Sequence, residues 1–192
     1  MPDHRQCDVV IVGAGPAGLS AARTVARLGL DTVLLERMPA PGSRQFPRSA
    51  VLTPVPGFVS GRRLFDGLFF PSLDFLVPSS LILGYPPVQK FISPSGYAFS
   101  ACFGSRAGFP AAVVDKRGLL KLLAEQAQSA GARLQFETPV VGLLVESGQV
   151  VRVRTENGPL RAQVVMAVEG IARRLCEEGD LYEVPYPSST DC

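Results

Sequence analysis

The sequence predicts an α/β fold in which a parallel sheet, an antiparallel β-meander and part of a β-rich lobe share one chain. Three observations predict it. Within residues 8–37 a short apolar run, a glycine turn, a helical stretch and a second apolar run follow one another. A proline-, glycine- and phenylalanine-rich segment then interrupts that order. After it, a helical pattern leads into alternating strands joined by glycine turns.

The elements follow in chain order. Val9–Val12 is continuously apolar and reads as a buried parallel strand. Gly13, Ala14, Gly15, Pro16, Ala17 and Gly18 come next. They open a helix with Leu19, Ala22, Val25, Ala26 and Leu28 or Gly29 on its packing side, stopped by Gly29. Thr32–Leu35 is a second strand, closing on Glu36 and Arg37. The spacing Gly13-x-Gly15-x-x-Gly18 stands where a nucleotide site needs it, after a strand and opening a helix. Gly13 permits the tight turn, Gly15 lets the backbone approach a pyrophosphate, and Gly18 lets helix and strand pack closely. The free amides at the positive end of the helix receive the phosphate charge. Glu36 is placed to accept hydrogen bonds from ribose hydroxyls. The plainer alternative is a tight strand-to-helix turn with no ligand.

Between Met38 and Val114 the character changes: nine of the eleven phenylalanines fall between Phe58 and Phe109, and Lys90 is the only charge between Asp74 and Arg106. This reads as an irregular connection followed by β-structure, with Phe91-Ile92 and Tyr97–Phe103 as strands around a Pro94-Ser95-Gly96 turn. Phe58, Phe65, Phe69, Phe70, Phe75, Phe99, Phe103 and Phe109 are expected in the core of a β-rich lobe, or else line a pocket for a long apolar substrate. Tyr85 and Tyr97 read as buried hydroxyls or as proton donors. Cys102 reads as a small buried apolar residue. Leu68–Leu83 is a candidate for peripheral membrane contact, although it lacks the basic face such segments use.

Asp115 then caps a helix that runs to about Ala130, with Leu119, Leu120, Leu122, Leu123, Ala127 and Ala130 at helical spacing and Gly131 beyond its end. Arg133–Phe136 reads as a strand. Val140–Glu146, Val150–Thr155 and Leu160–Val164 read as an antiparallel meander with turns at Ser147-Gly148 and Asn157-Gly158. The apolar segment Val164–Val168 ends at Glu169-Gly170, and a short helix is expected over Ala172–Glu178. The resulting domain plan is a discontinuous binding domain, 1–50 with 112–178, a partial lobe, 51–111, and an irregular tail, 179–192.

Composition excludes several functions. The formal charge is +2, from 19 basic and 17 acidic side chains without a long run of either sign, which argues against an electrostatically driven nucleic-acid binder. His4 is the only histidine, which disfavours Ser-His-Asp and Cys-His catalysis and histidine-rich zinc sites. The four cysteines form no C-x-x-C pair and fit a reducing compartment. The sequence shows no secretory signal and no uninterrupted apolar stretch of the roughly 18 residues that span a membrane. A soluble cytoplasmic protein is expected.

The stretch DVVIVGAGPAGLSAARTVARLGLDTVLLER is similar to the N-terminal signature of FAD-dependent oxidoreductases of the glutathione-reductase type. Gly42 matches a glycine that often follows, and Ser43 departs from the usual pair. With VVDKRGLLKLLAEQAQSAGARLQFETPVVGLL and VVRVRTENGPLRAQVVMAVEG, the chain resembles the geranylgeranyl reductase family and its flavin monooxygenase relatives. The resemblance implies a Rossmann-like FAD/NAD(P)-binding domain, FAD as cofactor and NAD(P)H as a possible electron donor. It also implies reduction of carbon–carbon double bonds in a small apolar isoprenoid-type substrate. It assigns the flavin phosphates to Lys116, with Arg117 beside it, the adenine to the backbone of Val140, and the pyrophosphate region to Glu169-Gly170, where an Asp-Gly pair is usual. Arg48 falls in the stretch that approaches the isoalloxazine in the family; it and Arg44 are otherwise surface charges. No catalytic side chain is assigned. Family chains continue for about as long again, so a fragment, a split enzyme with a partner chain supplying the C-terminal half, and a catalytically silent remnant are all expectations to weigh.

Overall fold

In a computed structural model of the chain, the described residues are 6–43, 48–53, 61–102, 111–146, 149–170 and 174–179. They fall into two compact units, residues 1–43 with 120–192 and residues 44–119. Composition suggested boundaries at 50/51 and 111/112. The difference arises because the two strands on either side of the lobe, 49–52 and 112–115, pair with each other.

The chain begins with β1 (Gln6–Val12), α1 (Pro16–Arg27) and β2 (Thr32–Leu35). The second unit contributes β3 (Ser49–Leu52), β4 (Arg62–Arg63), β5 (Gly67–Phe70), β6 (Phe75–Pro78) and β7 (Ile82–Gly84). To these it adds β8 (Val88–Ile92), β9 (Ala98–Cys102) and β10 (Ala112–Asp115); α2 (Lys116–Ser129) follows, most of it counted with the first unit. The chain continues with β11 (Arg133–Gln135), β12 (Val140–Glu146), β13 (Gln149–Thr155), β14 (Gly158–Ala167) and α3 (Arg174–Glu178).

The first unit is built on a sheet of order β11-β2-β1-β14-β13-β12. β1 pairs in parallel with both β2 and β14, and β11 pairs in parallel with β2. β12, β13 and β14 are antiparallel. The segments expected separately as Leu160–Val164 and Val164–Val168 are one strand. Its start pairs with β13 and its remainder with β1, so the meander and the parallel sheet are continuous. In the turn before it, Gly158 takes φ +101° and Thr155 Oγ1 donates to the Gly158 carbonyl at 2.7 Å. The Ser147-Gly148 turn lies outside the described residues.

Alternation along the strands sorts their side chains to two faces. Leu143, Val153 and Leu160 stand opposite one another across the meander. They are buried with Val10, Val12, Val33, Leu35, Val140, Ala162 and Leu175. α1 lies against β1 and β2 and buries Leu19, Ala22 and Ala26. Leu19 is fully buried, so truncating it to alanine is expected to cost about 2–5 kcal/mol. Leu28, expected on the packing side, is exposed because it is the helix C-cap, and Gly29 (φ +81°) turns the chain away. α2 starts as its cap predicts, with Asp115 Oδ1 accepting from the Arg117 amide at 3.0 Å.

The second unit holds small antiparallel sheets, β3-β10-β7, β4-β5-β6 and the β8–β9 ribbon. Phe70 is buried, and Phe69 and Phe75 are half-buried. Phe65 and Phe99, expected in the core, are exposed; Phe58, Phe103 and Phe109 lie outside the described residues. Tyr97 is 81% exposed and is not a buried hydroxyl, and Tyr85 lies under the Arg63 guanidinium, 4.3 Å from its ring centre. For Tyr97 and Phe99 the reason is topological: among the described residues β8 and β9 pair only with each other, and Phe91 and Phe99 stack on one another at 4.7 Å; Phe65 stands in the bend between β4 and β5. The Cys102 side chain lies outside the described residues. Among the described residues no helix is long and apolar enough to cross a membrane.

Candidate functional site

The glycine loop begins where the β1 ladder ends. The Gly13 amide donates to the Leu35 carbonyl at 2.8 Å, and the Val168 amide donates to the Val12 carbonyl at 2.9 Å. Each glycine is required for a different reason. Gly13 has φ +109°, and a Cβ there would lie 2.5 Å from the Val168 carbonyl oxygen. A Cβ at Gly18 would lie 1.9 Å from the Gly13 carbonyl oxygen. Gly15 is extended (φ −74°, ψ 177°), and a Cβ there would meet nothing within 4 Å. Gly13 and Gly18 therefore let backbone pack on backbone, whereas Gly15 borders open space.

That space lies at the N-terminus of α1, where Pro16 opens the helix. Gly15 as N-cap supplies no side-chain hydrogen bond, and the first turn carries no acidic residue. The helix therefore presents amides and positive dipole without a side-chain acceptor. Ala14 in the loop and Ala17 in the first turn of α1 add no polar side chain.

Glu36 is half-buried beside the loop. Its Oε2 accepts from the Ala14 amide at 2.7 Å and its Oε1 from the Met38 amide at 2.9 Å. Its own backbone is held on both sides, the amide donating to the Gln135 carbonyl at 2.9 Å and the carbonyl accepting from the Thr138 amide at 2.9 Å. A carboxylate offers about four lone-pair positions. The two backbone bonds leave one on each oxygen, enough for a pair of hydroxyls. An uncapped helix end, an opening at Gly15 and a fixed carboxylate with spare acceptors fit the diphosphate and ribose of a dinucleotide. Arg37, next to Glu36, is exposed.

Glu169 and Gly170 follow β14. The Glu169 backbone borders Gly13, 3.7 Å from the position of its missing Cβ, while its Oε2 accepts from the Leu175 amide at 2.7 Å. The carboxyl group thus anchors α3, whose Leu175 is fully buried. Gly170 has φ +68°. The Val140 carbonyl accepts from the Arg174 guanidinium. Arg174 and the Met38 amide escaped sequence reasoning, and no local pattern marks either, because each acts through a partner distant in sequence or through backbone alone. In the second unit the Lys116 amide donates to the Arg48 carbonyl at 3.0 Å, extending the β3–β10 ladder, so these two cations are cross-strand neighbours. The fold brings Gly13–Gly18, Glu36 and Glu169-Gly170 together in one unit and Arg48 with Lys116 in the other.

Cys7 offers no nucleophile. Burial, with a smaller contribution from the Asp31 charge, pushes its thiol up to about 11. Among the described residues no cluster of His, Cys, Asp and Glu could hold a metal ion.

A family model described as FAD dependent oxidoreductase matches residues 8–168. The chain belongs to that family. It is 30% identical over 177 residues to a digeranylgeranylglycerophospholipid reductase of Methanocella arvoryzae, covering 88% of this chain and 40% of the relative. It is 28% identical over 176 residues to the reductase of the same name from Thermoplasma volcanium, covering 85% and 39%. This FAD-dependent oxidoreductase chain thus spans about 40% of the length of the curated relatives it matches. A geranylgeranyl bacteriochlorophyll reductase-like protein from Thermoplasma acidophilum shares its fold with TM-score 0.72 at 24% identity, over 95% of this chain and 44% of that one. The flavin-dependent brominase Bmp2 does so with TM-score 0.60 at 18% identity, over 91% and 40%. The α/β architecture with its mixed sheet is the FAD-binding fold of these neighbours.

Proposed function

We propose that this chain is the FAD-binding part of a reductase that saturates carbon–carbon double bonds in an isoprenoid glycerophospholipid. The observation that carries the reading is the open, uncapped cradle at Gly15 beside the fixed carboxylate of Glu36. The substrate class is supported by the relatives named as digeranylgeranylglycerophospholipid reductases. Reduced FAD, when bound, supplies the hydride. The α1 amides and the loop Gly13–Gly18 hold the diphosphate, and Glu36 accepts from the ribose hydroxyls. Arg37 offers a cation beside the diphosphate, the Val140 backbone meets the adenine, and Glu169-Gly170 closes the loop from the β14 side. NAD(P)H is the proposed electron donor.

The test is visible absorption of the purified chain after FAD addition and gel filtration, followed by anaerobic reoxidation of dithionite-reduced flavin by a geranylgeranyl phospholipid. Retained flavin that the lipid reoxidises is the expected result. Flavin retained but never reoxidised by the lipid refutes the substrate. A colourless protein overturns the reading that this chain holds FAD by itself.

A further inference from the structure

The β12–β14 meander has two unlike sides. On one, Leu143, Val153 and Leu160 form a line across the strands and are buried in the core. On the other, the next line reads Leu144, Arg152, Arg161, and the one beyond it Gly142, Arg154, Pro159. Arg154 and Arg161 are exposed and Arg152 is half-buried. The fold therefore sets Arg152 directly opposite Arg161, although like charges facing across neighbouring strands are destabilising. The acidic residues of this region are Glu146, two residues along β12 from Leu144, Glu156 in the turn after β13, and Asp8 on β1, beside Gln163 and one diagonal from Arg161. Further along β14, Gln163 is tied to Asp8 at 3.0 Å and Val164 is 52% exposed.

We infer that this face docks on the anionic headgroups of a phospholipid bilayer. A pleated surface with guanidinium groups in its middle matches an array of phosphates, which arginine grips in bidentate fashion. The match is one of charge, and it explains why the fold carries a like-charge pair. The choice of lipid over an acidic protein rests on the phospholipid reading of the substrate. Docking would bring the oxidoreductase to a substrate that resides in the bilayer.

The experiment is co-sedimentation of the full chain with vesicles of phosphatidylcholine plus phosphatidylglycerol, and with phosphatidylcholine alone. Binding only to the anionic vesicles, weakening with salt, is expected. Each arginine near such a surface contributes about fivefold, so Arg152→Gln/Arg161→Gln lowers partitioning by about thirtyfold. Lys90→Gln/Lys121→Gln removes the same charge from exposed sites elsewhere and leaves partitioning largely unchanged. Three results overturn the inference: equal binding to, or absence from, both vesicle types; equal losses in the two double variants; or displacement by polyglutamate at lower charge concentration than the lipid. Where the variant folds poorly, anionic vesicles are expected to shield Arg152 and Arg161 of the unmodified chain from a guanidinium-modifying dicarbonyl, and equal modification with and without vesicles overturns the inference. Neither flavin nor turnover enters the assay, so its failure is separate from failure of the substrate reading.

Discussion

Gly15, the N-cap of α1, and Gly18, in its first turn, lie three residues apart, yet the structure predicts opposite consequences for adding a single methyl group to each. At Gly15 the backbone is extended and a Cβ meets nothing within 4 Å, so no steric cost arises in the protein itself. Replacing an N-cap glycine by alanine costs about 0.7 kcal/mol. Restricting the unfolded chain returns about 0.4–1 kcal/mol. The two offset each other, and Gly15→Ala is expected to leave the melting temperature within about 2 °C. Gly15→Ser caps the helix as well and is expected to raise it by about 2–4 °C. At Gly18 the added Cβ would sit 1.9 Å from the Gly13 carbonyl oxygen, where ordinary contact begins at 3.4 Å, so α1 and the loop must part by about 1.5 Å. A backbone atom cannot rotate away, and the expected cost is about 3 kcal/mol, or roughly 6–12 °C. Cofactor affinity separates the variants further. The methyl of Gly15→Ala or the hydroxymethyl of Gly15→Ser enters the space left for a diphosphate, and FAD affinity is expected to fall at least about tenfold, or 1.4 kcal/mol. Circular dichroism melts and quenching of flavin fluorescence read the two quantities independently. Unchanged FAD affinity in a stable Gly15→Ala protein would refute the cradle, as would a Gly15→Ala melt as low as that of Gly18→Ala.

Three further predictions follow from single contacts. Glu36→Ala leaves the Ala14 and Met38 amides without their acceptor and is expected to destabilise the chain by about 1–3 kcal/mol in chemical denaturation, whereas Glu36→Gln keeps one accepting oxygen and loses less. Glu169→Ala frees the start of α3, so trypsin is expected to cleave after Arg174 faster than in the unmodified chain while β1–β2 stays protected; equal rates would show that the Leu175 contact does not hold the helix. For Cys7 the folded thiol titrates near 11 against 9.0 when unperturbed. A raised pKa stabilises the fold fully below pH 9 and is lost as pH rises towards 11, because the unfolded chain releases its proton first. The unmodified chain is therefore expected to lose stability across that window more steeply than Cys7→Ala, in denaturant titrations at stepped pH.

The features legible in the sequence are those set within a few residues. Glycine at 13 and 18, the Asp115 cap, Gly158 in the meander turn and the alternation of β12 to β14 all express backbone conformations or one-sided burial that short stretches dictate. Glu36 was legible too, because a strand of known length ends on it. What α3 does was not: Glu169 holds the Leu175 amide and Arg174 reaches the Val140 carbonyl, and neither choice of partner is written in local spacing.

By itself, then, the sequence determined the strand–loop–helix–strand unit and the chemistry its end can hold, since steric limits on φ and the period of burial act locally. Only the tertiary structure decided that Gly13 also packs against the carbonyl of Val168, far along the chain. It also decided that Phe65, Tyr97 and Phe99 are exposed, because apolar composition drives burial only where another layer arrives to cover it. Register, finally, set Arg152 against Arg161: one residue of slip between β13 and β14 would have put the two side chains on opposite faces.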